Sequence, residues 1–221
     1  MGASIDTSCD LRAAFGDARH QGQRPTCIAF ALSDAHSAAR GITEPMSAEH
    51  LYYNAVQRSP GRHPSAGVGM AQACEALRLD GQSMEPAWPY LAALPTDIAQ
   101  WLPPPGTTTV FRRETQVLGT GLNEVTALLD AGRPAVLILL IGKRFLEPIN
   151  GLIGVGPDDP DIAHHAVIAV GHGHADGGEA CILIRNSWGQ GWALAGYSWV
   201  TASYLQARLK QVLSMKSESA K

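Results

Sequence analysis

The chain has few of the features that would place it in a membrane or on a nucleic acid. Its longest uninterrupted apolar run, AVLILLI at Ala135–Ile141, has seven residues, far fewer than the roughly 20 that a helix needs to cross a bilayer. Charged residues make up only 17% of the chain, and the net charge is −3. Without a basic excess there is no electrostatic signal for phosphate contacts. We therefore expect neither a membrane nor a nucleic-acid partner.

Cysteine is also scarce. The chain has four cysteines and no C-x-x-C pair, a pattern that does not indicate a disulfide framework. The first residues, MGASIDTSCDLRAAF, lack the basic segment followed by an apolar run that is typical of a secretory signal. We therefore expect a cytoplasmic, reducing location, with export by a signal-independent route left open.

The apolar pattern changes between the two halves of the chain. In the first half it predicts three helices, over 26–40, from Ser47 through 58, and from Met70 to Leu79. A proline-rich segment from Trp88 to Thr109 follows. This order predicts a helical lobe over about 10–104, within a single domain that spans 1–221.

The second half reads mainly as strands. Strand-like runs occur at 115–119, 134–141, 166–171, 181–188 and 196–200, with a short helix over 121–132. The segment ASYLQARLKQVLSM predicts a helix, and 216–221 reads as a flexible tail. The sequence thus predicts an α+β protein in which a β lobe covers about 105–215.

One cysteine, in the stretch QGQRPTCIAFALSDAH, lies where a loop meets a predicted helix. By itself Cys27 could be a buried filler, a metal ligand, half of a disulfide or a nucleophile. The first turn of a helix presents unpaired N–H groups and a positive dipole end, which favour the thiolate. A nucleophile would also need donors for an oxyanion. The side-chain amide of Gln21 and the N–H of Cys27 could supply them.

A basic partner for Cys27 is expected in the stretch IAHHAVIAVGHGH. His164 and His165 open a predicted strand, so their side chains should point to opposite faces and only one should face Cys27. Asn186, at the end of the run CILIRN, could accept the histidine N–H and fix the ring. Trp188 could cover that hydrogen bond from water.

Three blocks in this order resemble the papain family of cysteine peptidases. They are Gln21-Gly22 with Cys27-x-Ala29-Phe30, then His165-Ala166-Val167, then Asn186-Ser187-Trp188-Gly189-x-Gly191-Trp192. Weaker matches are Trp88-Pro89-Tyr90 and Gly142-Lys143-x-Phe145. His165 follows Cys27 by 138 residues and Asn186 follows it by 159, close to the family's separation of about 130–150.

The resemblance implies a two-lobed papain-like fold. In this fold an N-terminal helical lobe faces a C-terminal antiparallel, β-barrel-like lobe across the active-site cleft. It assigns Cys27 as nucleophile and His165 as ion-pair partner and general acid/base. Asn186 would orient His165, and Gln21 would complete the oxyanion hole. No cofactor and no metal is implied, although a reductant should help.

The resemblance also implies substrate contacts. The segment Gly67-Val68-Gly69 would pair with an extended peptide, and Trp188 would border the site. Ala163 and His164 would flank the subsite for the second residue before the cleaved bond. The expected partners are a peptide or protein substrate and, because no long inhibitory segment precedes the glutamine block, a regulatory partner or inhibitor. The loops Ser59 to Gly67 and Gly156 to Ala163 are alternative means of blocking the cleft.

A departure from the family pattern at Arg24 and a pair of histidines near a turn qualify this interpretation. Arg24 stands where the family usually has a disulfide cysteine, which indicates a compact bacterial type in a reducing setting. His172 and His174 lie in a glycine-rich turn and read as solvent-exposed side chains rather than as a metal site. Two other functions stay open. They are an acyl transferase or peptide ligase with the same catalytic residues, and a catalytically silent peptide-binding homologue.

Overall fold

The computed structural model describes residues 4–217. The three helices of the first half are α1 Cys27–Ala39, α2 Ala48–Gln57 and α3 Met70–Leu79. The Ser47 side chain caps α2 by accepting the His50 N–H at 3.0 Å, as its position predicts. Thr26 precedes α1 without a side-chain cap, since its hydroxyl lies 2.9 Å from that of Tyr90.

The second half forms most of an eight-stranded sheet. The strands are β1 Ile5–Asp10, β2 Thr115–Leu118, β3 Ala135–Ile141, β4 Leu152–Ile153, β5 Ala163–Ala175, β6 Ala180–Arg185, β7 Tyr197–Thr201 and β8 Leu209–Met215. The remaining helices are α4 Leu122–Asp130, α5 Lys143–Leu146 and α6 Ala202–Arg208. Thus the predicted α+β class is confirmed.

The sheet is an open path and not a closed barrel. Its order is β2-β8-β3-β5-β6-β7-β4, with β1 paired to β5, and all pairs except β4–β7 are antiparallel. Within residues 4–217 no pair joins β2 to β4. The expectation of a barrel-like lobe is corrected accordingly: the sheet is covered by helices on both faces, so its edges need not close on each other.

Alternating side chains of the strands build two cores, one on each face of the sheet. Val136, Ile168 and Leu213 pack with α1, α2 and α3. Leu137, Val167 and Val212 pack on the opposite face with α4, α5 and α6. Consequently the start of α1 lies against β5, the strand that carries His165.

The prediction of one long helix near the C-terminus is wrong in its second half. Only α6 is helical, and the chain then enters β8, which pairs with β2 on one side and β3 on the other. The residues LKQVLSM tolerate a helix, but pairing with two strands that are distant in sequence overrides that local preference. Just beyond β8, the N–H of Lys216 donates to the carbonyl of Glu114 at 2.8 Å. The rest of the expected tail, 218–221, lies outside the described residues.

The strand β1 was not predicted. It pairs antiparallel with the second half of β5, beyond the part that pairs with β3. The two strands come so close that a Cβ on Gly171 would lie 2.5 Å from the carbonyl oxygen of Cys9. The chain's first strand therefore belongs to the sheet and not to the helical region. Among residues 4–217, no helix has the length and apolar character needed to cross a membrane.

Candidate active site

Cys27 is the first residue of α1 and borders a cavity of about 300 Å³. The opposite wall comes from the start of β5, where His164, His165 and Ala166 line the same cavity. The fold thus brings together Cys27 and His165, which are far apart in sequence. The thiol is half-buried, and the imidazole is 5% exposed.

Asn186 holds His165 in place from the end of β6. The His165 Nε2 lies 2.7 Å from the Asn186 Oδ1, which also accepts the N–H of Ser187 at 2.8 Å. Because Oδ1 can only accept, Nε2 carries the proton in this bond. In the neutral ring this leaves the Nδ1 lone pair free to take a proton.

An aromatic cluster surrounds the histidine ring. The Trp188 ring lies 4.7 Å from it, and the Phe145 ring 5.6 Å from it in an edge-on arrangement. Trp192 stacks on the other side of Phe145 at 5.5 Å. Trp188 therefore lies where the sequence places it, beside the hydrogen-bonded ring. The aromatic walls limit both rotation of the ring and access of water.

Gln21 links the loop before α1 to the Asn186 segment. Its Oε1 accepts the Ser187 hydroxyl at 2.6 Å, and its Nε2 donates to the Arg24 carbonyl at 2.8 Å. A side-chain amide has two N–H bonds, so one remains for a substrate oxygen. The structure fixes the Gln21 side chain and buries most of it.

Burial shifts the pKa values of the thiol and the imidazole in opposite directions. Desolvation raises the pKa of the Cys27 thiol, although backbone groups of Ala166, Ile28 and Cys27 itself act in the opposite sense. Desolvation also lowers the pKa of His165 to about 4, against the effect of the Asn186 hydrogen bond. Both shifts favour a neutral thiol and a neutral imidazole in the cleft. At Cys27, burial outweighs the helix-start effect from which we expect a thiolate.

The expected substrate contacts divide into two groups. Val68, Gly69 and His164 line the cavity, together with Pro25, Ile28, Met70 and Ile138. Gly67, Ala163 and Trp188 do not line it. A Cβ on Gly67 would lie 3.3 Å from the Pro25 Cβ, and Ala163 is exposed at the first position of β5.

Two expectations about the cleft need correction. His164 and His165 both border the cavity, although they follow each other on β5, because the cleft runs past the end of that strand. Neither Ser59 to Gly67 nor Gly156 to Ala163 contributes to the lining within the described part of the chain. In the second loop, Asp159 and Asp161 are held by ion pairs to Arg208. Met70 and Ile138 were not singled out from sequence, since their apolar side chains resemble any core residue.

The buried histidines predict that stability depends on pH. His36 in α1 is also fully buried, and burial, with Arg113 and Arg40 nearby, lowers its pKa to about 3. A histidine whose pKa is depressed on folding takes up a proton more readily when unfolded. The free energy of unfolding should therefore fall as pH decreases from about 6.5 toward 4, by up to about 1.4 kcal/mol per pH unit for each of His36 and His165.

This dependence can be measured by urea unfolding at a series of pH values. Replacing His36 by glutamine should reduce the slope, because it removes one of the buried histidines whose pKa is depressed, while His50 and His165 remain. The same replacement at the exposed His63 is the control and should leave the slope unchanged. A free energy of unfolding that stays constant between about pH 6.5 and pH 4 would contradict the depressed pKa values of the buried histidines.

Comparisons with known proteins agree with this geometry. Residues 126–216 match the model of the papain family cysteine proteases. Papaya proteinase 4 from Carica papaya is 28% identical over 200 residues, which cover 87% of this chain and 55% of the relative. A cathepsin L-like proteinase from Fasciola hepatica is 26% identical, and the alignment covers 82% of this chain and 55% of the relative. The chain therefore spans little more than half the length of these relatives.

Solved structures give the same result for the fold. Xylellain, a cysteine protease from Xylella fastidiosa, superposes with a TM-score of 0.78 at 20% identity, covering 98% of this chain and 88% of its own. The cysteine protease CMS1MS2 of Carica candamarcensis, in complex with E-64, superposes with a TM-score of 0.72 at 20% identity, covering 97% and 100%. The fold is papain-like. The fold that the resemblance of the three sequence blocks implies is thus confirmed, and the relatives are themselves proteinases.

Proposed function

We propose that the protein is a cysteine peptidase that hydrolyses peptide bonds through an acyl-thioenzyme. The observation that carries the proposal is the His165–Asn186 hydrogen bond beside a cavity that Cys27 lines from the facing wall. A nucleophile, a base and a group that orients the base are the minimum for acyl transfer. The papain-like fold supports the same assignment.

In the proposed reaction a peptide binds in the cleft, and the Nδ1 of His165 takes the proton of Cys27. The thiolate adds to the peptide carbonyl, and the resulting oxyanion accepts the Cys27 N–H and the second N–H of the Gln21 amide. His165 then returns its proton to the departing amine, which leaves an acyl-thioenzyme. Water, deprotonated by His165, adds to the thioester and releases the acid and the thiol.

The cavity suggests which peptides fit. Its walls are mostly apolar, with Val68, Met70 and Ile138 among them, and His164 adds a polar side chain. An extended peptide that follows Val68 and Gly69 would place an apolar side chain in this space. We therefore propose a preference for an apolar residue two positions before the cleaved bond, in a peptide or protein substrate.

Thiol alkylation tests the proposed nucleophile. With limiting iodoacetamide and no peptide in the cleft, we expect mass spectrometry to find the adduct on Cys27 before Cys9, Cys74 or Cys181, because His165 can take the Cys27 proton as the sulfur is alkylated. E-64, the inhibitor bound in two similar structures, should protect Cys27 from the label. His165→Gln should slow the labelling of Cys27 but not of Cys9. An equal rate at all four cysteines would contradict the proposal.

The products distinguish the alternative functions. Hydrolysis gives a free acid, whereas an acyl transferase or ligase would give a product that carries an added amine. A silent peptide binder would show no turnover, and Cys27→Ala would leave its peptide affinity unchanged. We expect a free acid as the main product and no product from Cys27→Ala.

A further inference from the structure

Away from the cleft, three side chains with metal-binding atoms meet where β1, β5 and α4 join. Cys9 and His172 are direct partners in the antiparallel β1–β5 pair, so their side chains lie on the same face of the sheet. Asp130, the last residue of α4, reaches this face, and its Oδ1 lies 2.7 Å from the His172 Nε2. One donor atom from each residue lies within 4.8 Å of the other two.

The donor set selects a class of metal. A thiolate, an imidazole and a carboxylate are the ligands that Zn²⁺ takes in proteins, with Zn–ligand distances of about 2.0–2.3 Å. Donor atoms that already lie within 4.8 Å of one another can reach these distances by side-chain rotation. Mg²⁺ and Ca²⁺ prefer oxygen ligands alone. The chemistry of this cluster therefore favours a transition metal, and zinc first.

The surroundings also favour a cation. The cluster lies at the C-terminal end of α4, where backbone carbonyls give a negative potential. The Cys9 thiol donates to one of these carbonyls, that of Leu129, at 3.3 Å. The last turn of α4 carries the acidic Asp130 and no basic residue. Positively charged side chains are normally found at the C-terminal ends of helices. A cation bound here would therefore offset the negative charge of both the carbonyls and the carboxylate.

We propose that Cys9, Asp130 and His172 form a zinc site that ties the N-terminal strand β1 to β5 and α4. The Asp130 side chain is 62% exposed, which leaves an open side for a water molecule as fourth ligand. Binding would replace the thiol proton of Cys9, which passes to solvent. From sequence we expect no metal, because the residues near His172 along the chain do not form a set of ligands. In the fold, Cys9 and Asp130 lie beside His172, and the proposal changes that expectation.

The site is independent of the catalytic residues. His165 and His172 are seven residues apart on β5, a distance of about 23 Å along an extended strand. Zinc at the proposed site therefore does not contact Cys27, and its expected effect is on stability. A metal that binds only the folded chain at about 100 times its Kd should raise the Tm by about 5–10 °C.

Co²⁺ provides a direct test, because a cobalt–thiolate bond gives a charge-transfer absorption band. The experiment uses the full chain with Cys27→Ser, which removes metal binding by the catalytic thiol. We expect one Co²⁺ per chain with this band, and displacement of the band by Zn²⁺. Cys9→Ser and His172→Ala should each abolish it. His174→Ala, which removes an exposed histidine two residues further along the same strand, should leave it unchanged.

The outcomes separate a zinc site from a simple His172–Asp130 hydrogen bond. Loss of the band in both Cys9→Ser and His172→Ala, together with a zinc-dependent rise in Tm that both variants lack, would support the site. No band in the parent protein, or a band that persists in His172→Ala, would overturn it. Melting curves without metal establish that each variant folds.

Discussion

Replacing His165 by glutamine should lower kcat/KM for a peptide substrate by about 10³-fold or more. Glutamine has a similar length and can still donate to the Asn186 Oδ1, which now lies 2.7 Å from the His165 Nε2. It cannot accept the thiol proton or return a proton to the leaving amine. The chemistry is therefore removed while most of the local packing is kept.

A smaller change at Asn186 gives the matched comparison. Asn186→Ala removes the bond that orients the ring, but the contacts of His165 with Trp188 and Phe145 remain. We expect a loss of activity that is clearly smaller than that of His165→Gln, and mainly in kcat. Initial rates over a range of substrate concentrations give both constants. A His165→Gln enzyme within tenfold of the parent, with an unchanged melting curve, would rule out His165 as the acid/base.

The residues of the proposed site can be singled out from sequence because each lies in a short block with local order. Cys27 begins a helix that lies between Pro25 and Gly41, and Asn186 follows an apolar strand. Their approach in space then follows from the fold that the blocks imply. The same local signals fixed α2 and α3, since caps and apolar periodicity act within a few residues.

What could not be predicted depends on contacts between distant residues. β8 forms because β2 and β3 accept its backbone hydrogen bonds, not because LKQVLSM favours a strand. The direction of the Cys27 pKa shift depends on how deeply the thiol is buried, which a helix-start argument omits. Cys9 and His172 likewise meet only through strand pairing. Sequence patterns describe each segment well and leave these pairings undetermined.

Arg24 anchors the loop before Cys27 through a buried ion pair. Its guanidinium bonds both carboxylate oxygens of Glu49, at 2.5 and 2.9 Å, and the carbonyl of Leu91 at 2.7 Å. Glu49 is fully buried and also accepts the Trp101 indole N–H at 2.7 Å. The Tyr90 ring lies 5.0 Å from the guanidinium carbon. The pair thus joins the loop before the nucleophile to α2 and to the proline-rich segment.

Arg24→Ala should lower the free energy of unfolding by about 3–5 kcal/mol, because it leaves the Glu49 carboxylate buried without its counter-ion. Glu49→Ala should cost a similar amount. The double variant should cost about 1–3 kcal/mol less than the sum of the two, since neither charge then remains alone. Urea unfolding measures all three. The exposed pair Lys216–Glu114 is the control. Lys216→Ala should change the free energy of unfolding by less than about 1 kcal/mol.

The response to a reducing agent distinguishes this ion pair from a disulfide bond. All four cysteines are free, so a reducing agent should leave the free energy of unfolding unchanged. Arg24→Ala should also reduce activity beyond the loss of folded protein, because the guanidinium anchors the loop whose Arg24 carbonyl accepts the Gln21 amide at 2.8 Å. An Arg24→Ala variant with the same free energy of unfolding as the parent would mean that Arg24 and Glu49 do not stabilise each other. Full activity at full folding would mean that Gln21 is held without Arg24.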